Sequence, residues 1–409
     1  MNVASVRLPE RRAWGMVLAL CTAFALSQAY RTVGAIMAGQ LQADFKLSAQ
    51  ALGVFSGSFH FAFGAMQLFM GIGIDLYGVR RTVLSAFPLA IVGAVVSALS
   101  TDYLVLLAGQ VLIGVGCAPA FLVCTVFIAR HFPAARFASV SGLVLGIGGV
   151  GMLATGTPLA WLVQAHSWRA GFVVLGVASV AAWLAIALWV REPAREGAQP
   201  RESVPAALHQ FGTLFAMPHT LGILLLGAVT YAAFISLRGL WLGPLLIERH
   251  GYSLVQSGNV ALAVSVISLV GPPLFGRFDR DGPARRRRIV LCALAYAGLF
   301  AAIAFLNAAW IDIAATMLIG LVSGFIVWQY ADVRLAYPAA LTGRAMAVFT
   351  MAMFLGVALM QWLTGAVASV AAANGIESFK VVLATIAALL VAGAAAFAWL
   401  PKPAAAFRS

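Results

Sequence analysis

Charge is what this chain has least of. Only 10% of its 409 residues are charged, against about 25% in soluble domains. That shortage excludes a soluble protein carrying a single anchor. Acid is scarcer than base, with 13 Asp and Glu against 26 Lys and Arg. The four cysteines, Cys21, Cys117, Cys124 and Cys292, all stand in apolar runs, and none form a C-x-x-C pair. Neither a zinc site nor a disulfide framework is expected. The sequence has no Gly-x-x-x-x-Gly-Lys loop, no His-Glu-x-x-His and no Gly-x-Ser-x-Gly. ATP-driven pumping and the corresponding hydrolases therefore have no motif to rest on. No enzyme activity, cofactor or metal is expected.

Apolar sequence is what fills the chain, at 62% of residues. It falls into twelve runs, at 13–37, 49–72, 81–100, 103–128, 136–164, 168–190, 219–247, 253–276, 288–308, 310–331, 342–370 and 378–400. At 1.5 Å per residue each can cross a hydrocarbon core of about 30 Å. The fold class expected is an all-α membrane protein of twelve transmembrane helices. The first run is too long for a cleaved signal peptide and lacks a small-residue cleavage site, so it reads as a permanent helix.

The basic residues set the orientation. With an even number of spans both ends share one side. That side collects 20 of the 26 Lys and Arg, and the opposite loops hold four: Lys46, Arg169, Arg249 and Lys380. The bias predicts cytoplasmic termini. It also makes the net charge of +13 a matter of topology, so no nucleic-acid partner is expected. The longest polar stretch, 191–218, reads as a cytoplasmic linker. It separates an N-terminal six-helix bundle (1–190) from a C-terminal one (219–400), with a cytoplasmic tail at 401–409.

The halves repeat. Ser48 and Gly53 open the second run, and Ser253 and Gly258 open the eighth, 205 positions on. Ser253 with Gln256 also fits a capping box. Asp75, Gly78, Arg80 and Arg81 of "GIGIDLYGVRR" are matched by Asp279, Gly282, Arg285 and Arg286, at offsets of 204 to 205. Duplicated multi-span chains are typical of secondary transporters, with the substrate site between the repeats.

"GIGIDLYGVRR" resembles the loop signature between the second and third helices of the major facilitator superfamily. Gly71, Asp75, Gly78, Arg80 and Arg81 match it, while Leu76 stands where a basic residue is usual. The second copy (Asp279, Arg280, Gly282, Arg285) is looser, with Gly276 one residue too close to Asp279. "QVLIGVGCAPA" is similar to the family's fourth-helix pattern, with Gln110 in place of a common arginine. The resemblance spans the whole chain and implies two pseudo-symmetric six-helix bundles that alternate access. It implies for the Asp75 cluster a gating role. A topology anchor and tight turn is the plainer alternative.

Two arginines lie inside spans. Arg31 is about 8 Å past the centre of the first run and Arg238 about 6 Å past that of the seventh, on the same side. Snorkelling to the interface is one explanation for each. The other is a clamp on an anion, since guanidinium matches carboxylate or phosphate and no acid lies deep in any run. Arginines on helices one and seven are similar to those of the organophosphate–phosphate antiporter branch. Gln28, one turn from Arg31, Tyr231 and Trp241, on the run of Arg238, and His60 and Gln67 of the second run complete the expected substrate-binding set. His60 is a candidate for a coupling proton or for a neutral packed histidine.

The expectation is thus a secondary active transporter of the bacterial inner membrane. It moves a small solute, an organic anion being favoured, by symport with a proton or by exchange for another anion. Its partners are that solute and membrane lipid, and a monomer is the default. Export of a secreted metabolite such as a siderophore, or of drugs, is the alternative; a ligand sensor that does not transport is a third.

Overall fold

The computed structural model describes residues 10–191, 212–278, 283–338 and 341–401. Among these, twelve helices are long and apolar enough to cross a membrane, and there are no strands. They are α1 (Glu10–Tyr30, continued by Val33–Phe45), α2 (Ala49–Tyr77), α3 (Val79–Leu99), α4 (Tyr103–His131), α5 (Ala134–Ala154, continued by Thr157–Ala165) and α6 (Trp168–Trp189). The second half holds α7 (Thr220–Arg249), α8 (Leu254–Arg277), α9 (Pro283–Leu306), α10 (Ala309–Ala336), α11 (Thr342–Ala373) and α12 (Ser378–Trp399). Most of the 191–218 stretch, the tail after residue 401, and Asp279, Arg280 and Gly282 lie outside the described residues.

The first six helices pack mainly on one another, as do the last six, and among the described residues three pairs make most of the contact between the halves: α2 with α11, α5 with α8, and α1 with α7. The near end is taken here as the one carrying Glu10 and Trp399. Close to the far end, the Gln50 amide donates to Ser369 Oγ (2.9 Å) and the Thr157 hydroxyl to Asn259 Oδ1 (2.7 Å). Both bonds cross between halves.

The repeat read from sequence is visible in the backbone. Ser48 caps α2 and Ser253 caps α8, with φ/ψ of −68°/162° and −69°/162°. Each hydroxyl accepts from an amide three residues on, as an N-cap does. Two residues earlier the chain turns left-handed in both halves, at Lys46 (φ 52°) and Gly251 (φ 69°). Gly34 and Gly239 show the same 205-residue offset, and there α1 and α7 cross. A β-carbon on Gly34 would stand 2.8 Å from the Gly239 carbonyl oxygen. Only hydrogen at that position lets the two backbones meet.

Three helices are irregular at matching depth. α1 breaks at Arg31 and Thr32, where Thr32 adopts φ −121°, ψ 4°. α5 breaks at Thr155 and Gly156. The two breaks are joined by the Thr32 and Thr155 hydroxyls, 2.6 Å apart. α7 widens into π turns at Leu237–Trp241 and Leu245–Arg249. Such interruptions free backbone groups inside the bundle and often mark functional sites.

Candidate functional site

Arg31 sits at the break in α1 and is only 6% exposed. Its Nη1 donates to Gln28 Oε1 (2.6 Å) and to the Tyr231 hydroxyl (3.4 Å), and its Nη2 to Ser27 Oγ (3.1 Å). The guanidinium caps a notch between the rings of Phe63 and Phe354, 4.5 and 4.6 Å from their centroids. Phe63 belongs to α2, Tyr231 to α7 and Phe354 to α11, so Arg31 touches both halves. All its partners are neutral, and Nε has none.

Arg238 is buried completely, within the first π turn of α7. It points elsewhere. Nε donates to the Ala261 carbonyl (3.1 Å) and Ser265 Oγ (3.0 Å) of α8, and Nη2 to the Met152 carbonyl (3.0 Å) of α5. Nη1 is without a partner. The break in α5 explains the last bond. The Gly156 amide turns back to Leu153 O, leaving the Met152 carbonyl without its usual helical donor. Arg238 and the Thr155 hydroxyl take that place.

A two-sided clamp, with both guanidiniums on one face, is therefore not what the structure presents. The reason lies in register. By the 205 offset that relates Gly34 to Gly239, Arg31 corresponds to Ser236 and Arg238 to Val33. A shift of two residues turns a side chain by about 200° around a helix. Arg31 thus faces α2 and α11, and Arg238 faces α5 and α8. Gln28 links the two: its Oε1 holds Arg31, and its Nε2 lies 4.0 Å from Met152 Sδ.

The other expected residues divide. Tyr231 joins Arg31, and its ring meets Phe354 edge-on at 5.2 Å. His60 is close by and 1% exposed, stacked at 6.4 Å on Phe354. Gln67 points away: its Nε2 donates to the Ala118 carbonyl (3.1 Å) beside the Pro119 break of α4. Trp241 turns to α11 and α12, its indole donating to Thr364 Oγ1 (3.0 Å).

Of the loop signature, Gly78 has φ 87° and forms the turn between α2 and α3, where a side chain would be strained. Arg80 donates to the Ala187 carbonyl of α6 (2.9 Å), Arg81 is exposed and Gly71 half-buried. The Asp75 side chain is outside the description. In the second copy Arg285 is buried, and Arg286 pairs with Asp332 at 3.2 Å over the Phe397 ring.

Four features were not found from sequence. Ser27 binds Arg31 directly. Ser56 and Gln361 are buried beside His60, and a glutamine within the apolar "ALMQWLTG" was the available signal for the second. At the far end, Asp312 is fully buried and pairs with Arg249 (3.1 Å) and His250 (2.7 Å), while Arg249 also meets Glu377 (2.5 Å). Asp312 neutralises this local cluster and touches neither Arg31 nor Arg238.

A family model described as Major Facilitator Superfamily matches residues 18–361. A hexuronate transporter of Bacillus subtilis (strain 168) is 23% identical over 271 residues, covering 63% of this chain and 62% of that protein. The probable galactarate/D-glucarate transporter GudP of the same organism is 23% identical over 295 residues, covering 64% of each. The chain thus spans less than two thirds of the length of either relative. Among solved structures, a D-xylose-proton symporter aligns with a TM-score of 0.74 at 17% identity, over 95% of this chain and 98% of that one.

Proposed function

The chain belongs to the major facilitator superfamily, and on that premise we propose that it is a secondary active transporter of a small organic anion, with a carboxylate held by Arg31. The observation that carries this is a buried guanidinium between the two halves with only neutral partners. Burying a charge without a counter-charge is costly, and a bound carboxylate supplies the missing charge. The notch of Phe63 and Phe354 fixes the plane of the fork, and the unpartnered Nε is the donor left for a ligand. The names of the two relatives, both of them transporters of sugar-derived acids, support the same class of solute.

Transport proceeds by alternating access, α1 and α7 rocking at their glycine crossing while the α2–α11 and α5–α8 seams open and close. The driving force is a proton or an exchange anion. The protein resides in an inner membrane as a monomer, with both termini cytoplasmic, in line with the distribution of its basic residues. The Asp75–Arg81 loop and its second copy at Asp279–Arg285 act as gating elements at the near end.

The test is counterflow of labelled galacturonate and galactarate in proteoliposomes containing the purified full chain. Counterflow is expected in the parent protein and at least a tenfold loss in Arg31→Gln. Arg31→Lys should remain impaired, because an ammonium cannot reproduce the planar fork. Robust movement of neutral solutes with no response to any carboxylate would overturn the proposal.

A further inference from the structure

Beside Arg31 lies a second group of side chains that no counterpart satisfies. Ser56, His60 and Gln361 are 7%, 1% and 0% exposed. Ser56 Oγ, His60 Nε2 and both amide atoms of Gln361 are without hydrogen-bond partners. The Gln361 amide of α11 faces the imidazole of His60 on α2, near enough to interact with it but outside hydrogen-bond geometry, so the group spans the seam between the halves. It is also continuous with the Arg31 site. The guanidinium and the imidazole rest against the same Phe354 ring.

Buried polar atoms are normally paired, and a cluster left unpaired on both sides of a seam that must open calls for a ligand. From this we infer that Ser56, His60 and Gln361 form a hydroxyl-reading subsite, which makes the solute a hydroxyl-bearing carboxylate. The inference rests on the anion reading above and narrows its class.

The chemistry of the donors selects the group. His60 Nδ1 stands 3.0 Å from the Ser56 carbonyl. A carbonyl only accepts, so Nδ1 carries the hydrogen and Nε2 offers a lone pair. The Gln361 amide offers two N–H donors and an acceptor, and Ser56 Oγ offers both roles. A hydroxyl, which donates and accepts, matches all three. A methylene matches none and would leave them dry and unpaired. Arg31 of α1 is the charged group that acts on His60, and the other titratable groups within reach of Arg31 are Cys117 of α4, Tyr231 of α7 and Tyr330 of α10. None is a carboxylate, so the carboxylate of the solute belongs at Arg31 and its hydroxyls at the neutral cluster.

The test is competition against counterflow in proteoliposomes by two probes, galactarate and adipate, which share chain length and charge and differ only in their hydroxyls. Galactarate should compete at least tenfold better than adipate in the parent protein. Gln361→Leu should remove most of that preference, weakening galactarate about 10- to 100-fold while leaving adipate unchanged. Equal competition by both probes in the parent protein would overturn the subsite and leave the anion reading intact. Galacturonate counterflow that neither probe blocks would overturn the subsite as well; no counterflow of any carboxylate would instead overturn the anion reading. If Gln361→Leu loses adipate competition as well, its fold has been damaged. The parent ratio and Ser56→Ala, expected to narrow that ratio without affecting adipate, then decide.

Discussion

Replacing Arg238 by methionine should loosen the seam between the halves without unfolding the protein. In the folded chain the side chain makes three hydrogen bonds to neutral oxygens. A bond to a charged group is worth about 1.5–3 kcal/mol; Nε shares its one hydrogen between two of the oxygens, so the loss of two donors costs about 3–6 kcal/mol. The substitution also removes a fully buried cation, whose desolvation penalty is itself several kcal/mol. The acceptors are not stranded, since Met152 O keeps the Thr155 hydroxyl and Ala261 O keeps Ser265 Oγ. Net folding stability therefore changes little.

The conformational balance responds differently. Of Arg238's bonds, only the one to Met152 reaches the first half, and it requires α5 to lie against α7 and α8. Losing about 1.5 kcal/mol from the closed state alone raises the far-end-open population about tenfold. The assay is labelling of Thr157→Cys by a membrane-impermeant maleimide, in a background without the four native cysteines. Thr157 lies at that seam, against Asn259. Labelling about tenfold faster in Arg238→Met, with an unchanged melting temperature, is the expected result. Unchanged labelling, or a melting temperature reduced by many degrees, would refute the reasoning.

Three other outcomes are expected. Gly34→Val places a branched side chain where a β-carbon would stand 2.5 Å from Ser56 Oγ and 2.8 Å from the Gly239 carbonyl oxygen. Counterflow should be abolished, while size-exclusion chromatography still shows folded protein if the crossing is a moving contact. Asp312→Asn breaks a buried ion pair and should destabilise the far end of α7 by about 3–5 kcal/mol, read as a fall in melting temperature that salt does not reproduce. Asp44 is held below the usual carboxylate range by the Trp168 indole and then by Arg169. A depressed folded value means that its stabilisation is present above the unfolded carboxylate pKa of about 3.9 and is lost as pH falls through the folded one. Melting temperature should therefore drop less steeply on acidification in Asp44→Asn than in the parent protein.

The spans and their caps were legible because they depend on local sequence. Long apolar runs set the helices, and Ser48 and Ser253 mark their own N-termini. The direction of each arginine was not legible. It depends on helix phase, and phase was altered by the break at Thr32 and the π turns after Ser236, which no periodicity announces. The 207-residue spacing of the arginines looked close enough to 205 to count as symmetry, yet two residues are half a turn of helix. Asp312 looked like a surface residue because it begins a span. Its burial is conferred by Arg249 and His250, which arrive from another helix. Ser56 and Gln361 are ordinary polar residues in apolar runs; Ser56 stands one turn before His60 on α2, and only the α2–α11 seam brings Gln361 to them.

The glycine crossing of α1 and α7 makes a lever with unequal arms. From Gly34 the first helix runs about 17 Å to its far end at Phe45, but about 36 Å back to Glu10. With the break at Thr32 held by its hydroxyl bond to Thr155, a tilt of ten degrees about that fulcrum would carry the far end about 3 Å and the near end about 6 Å. The mouth on the near side would therefore open about twice as wide as the one opposite, and bulky solutes should feel the far mouth as the narrower doorway.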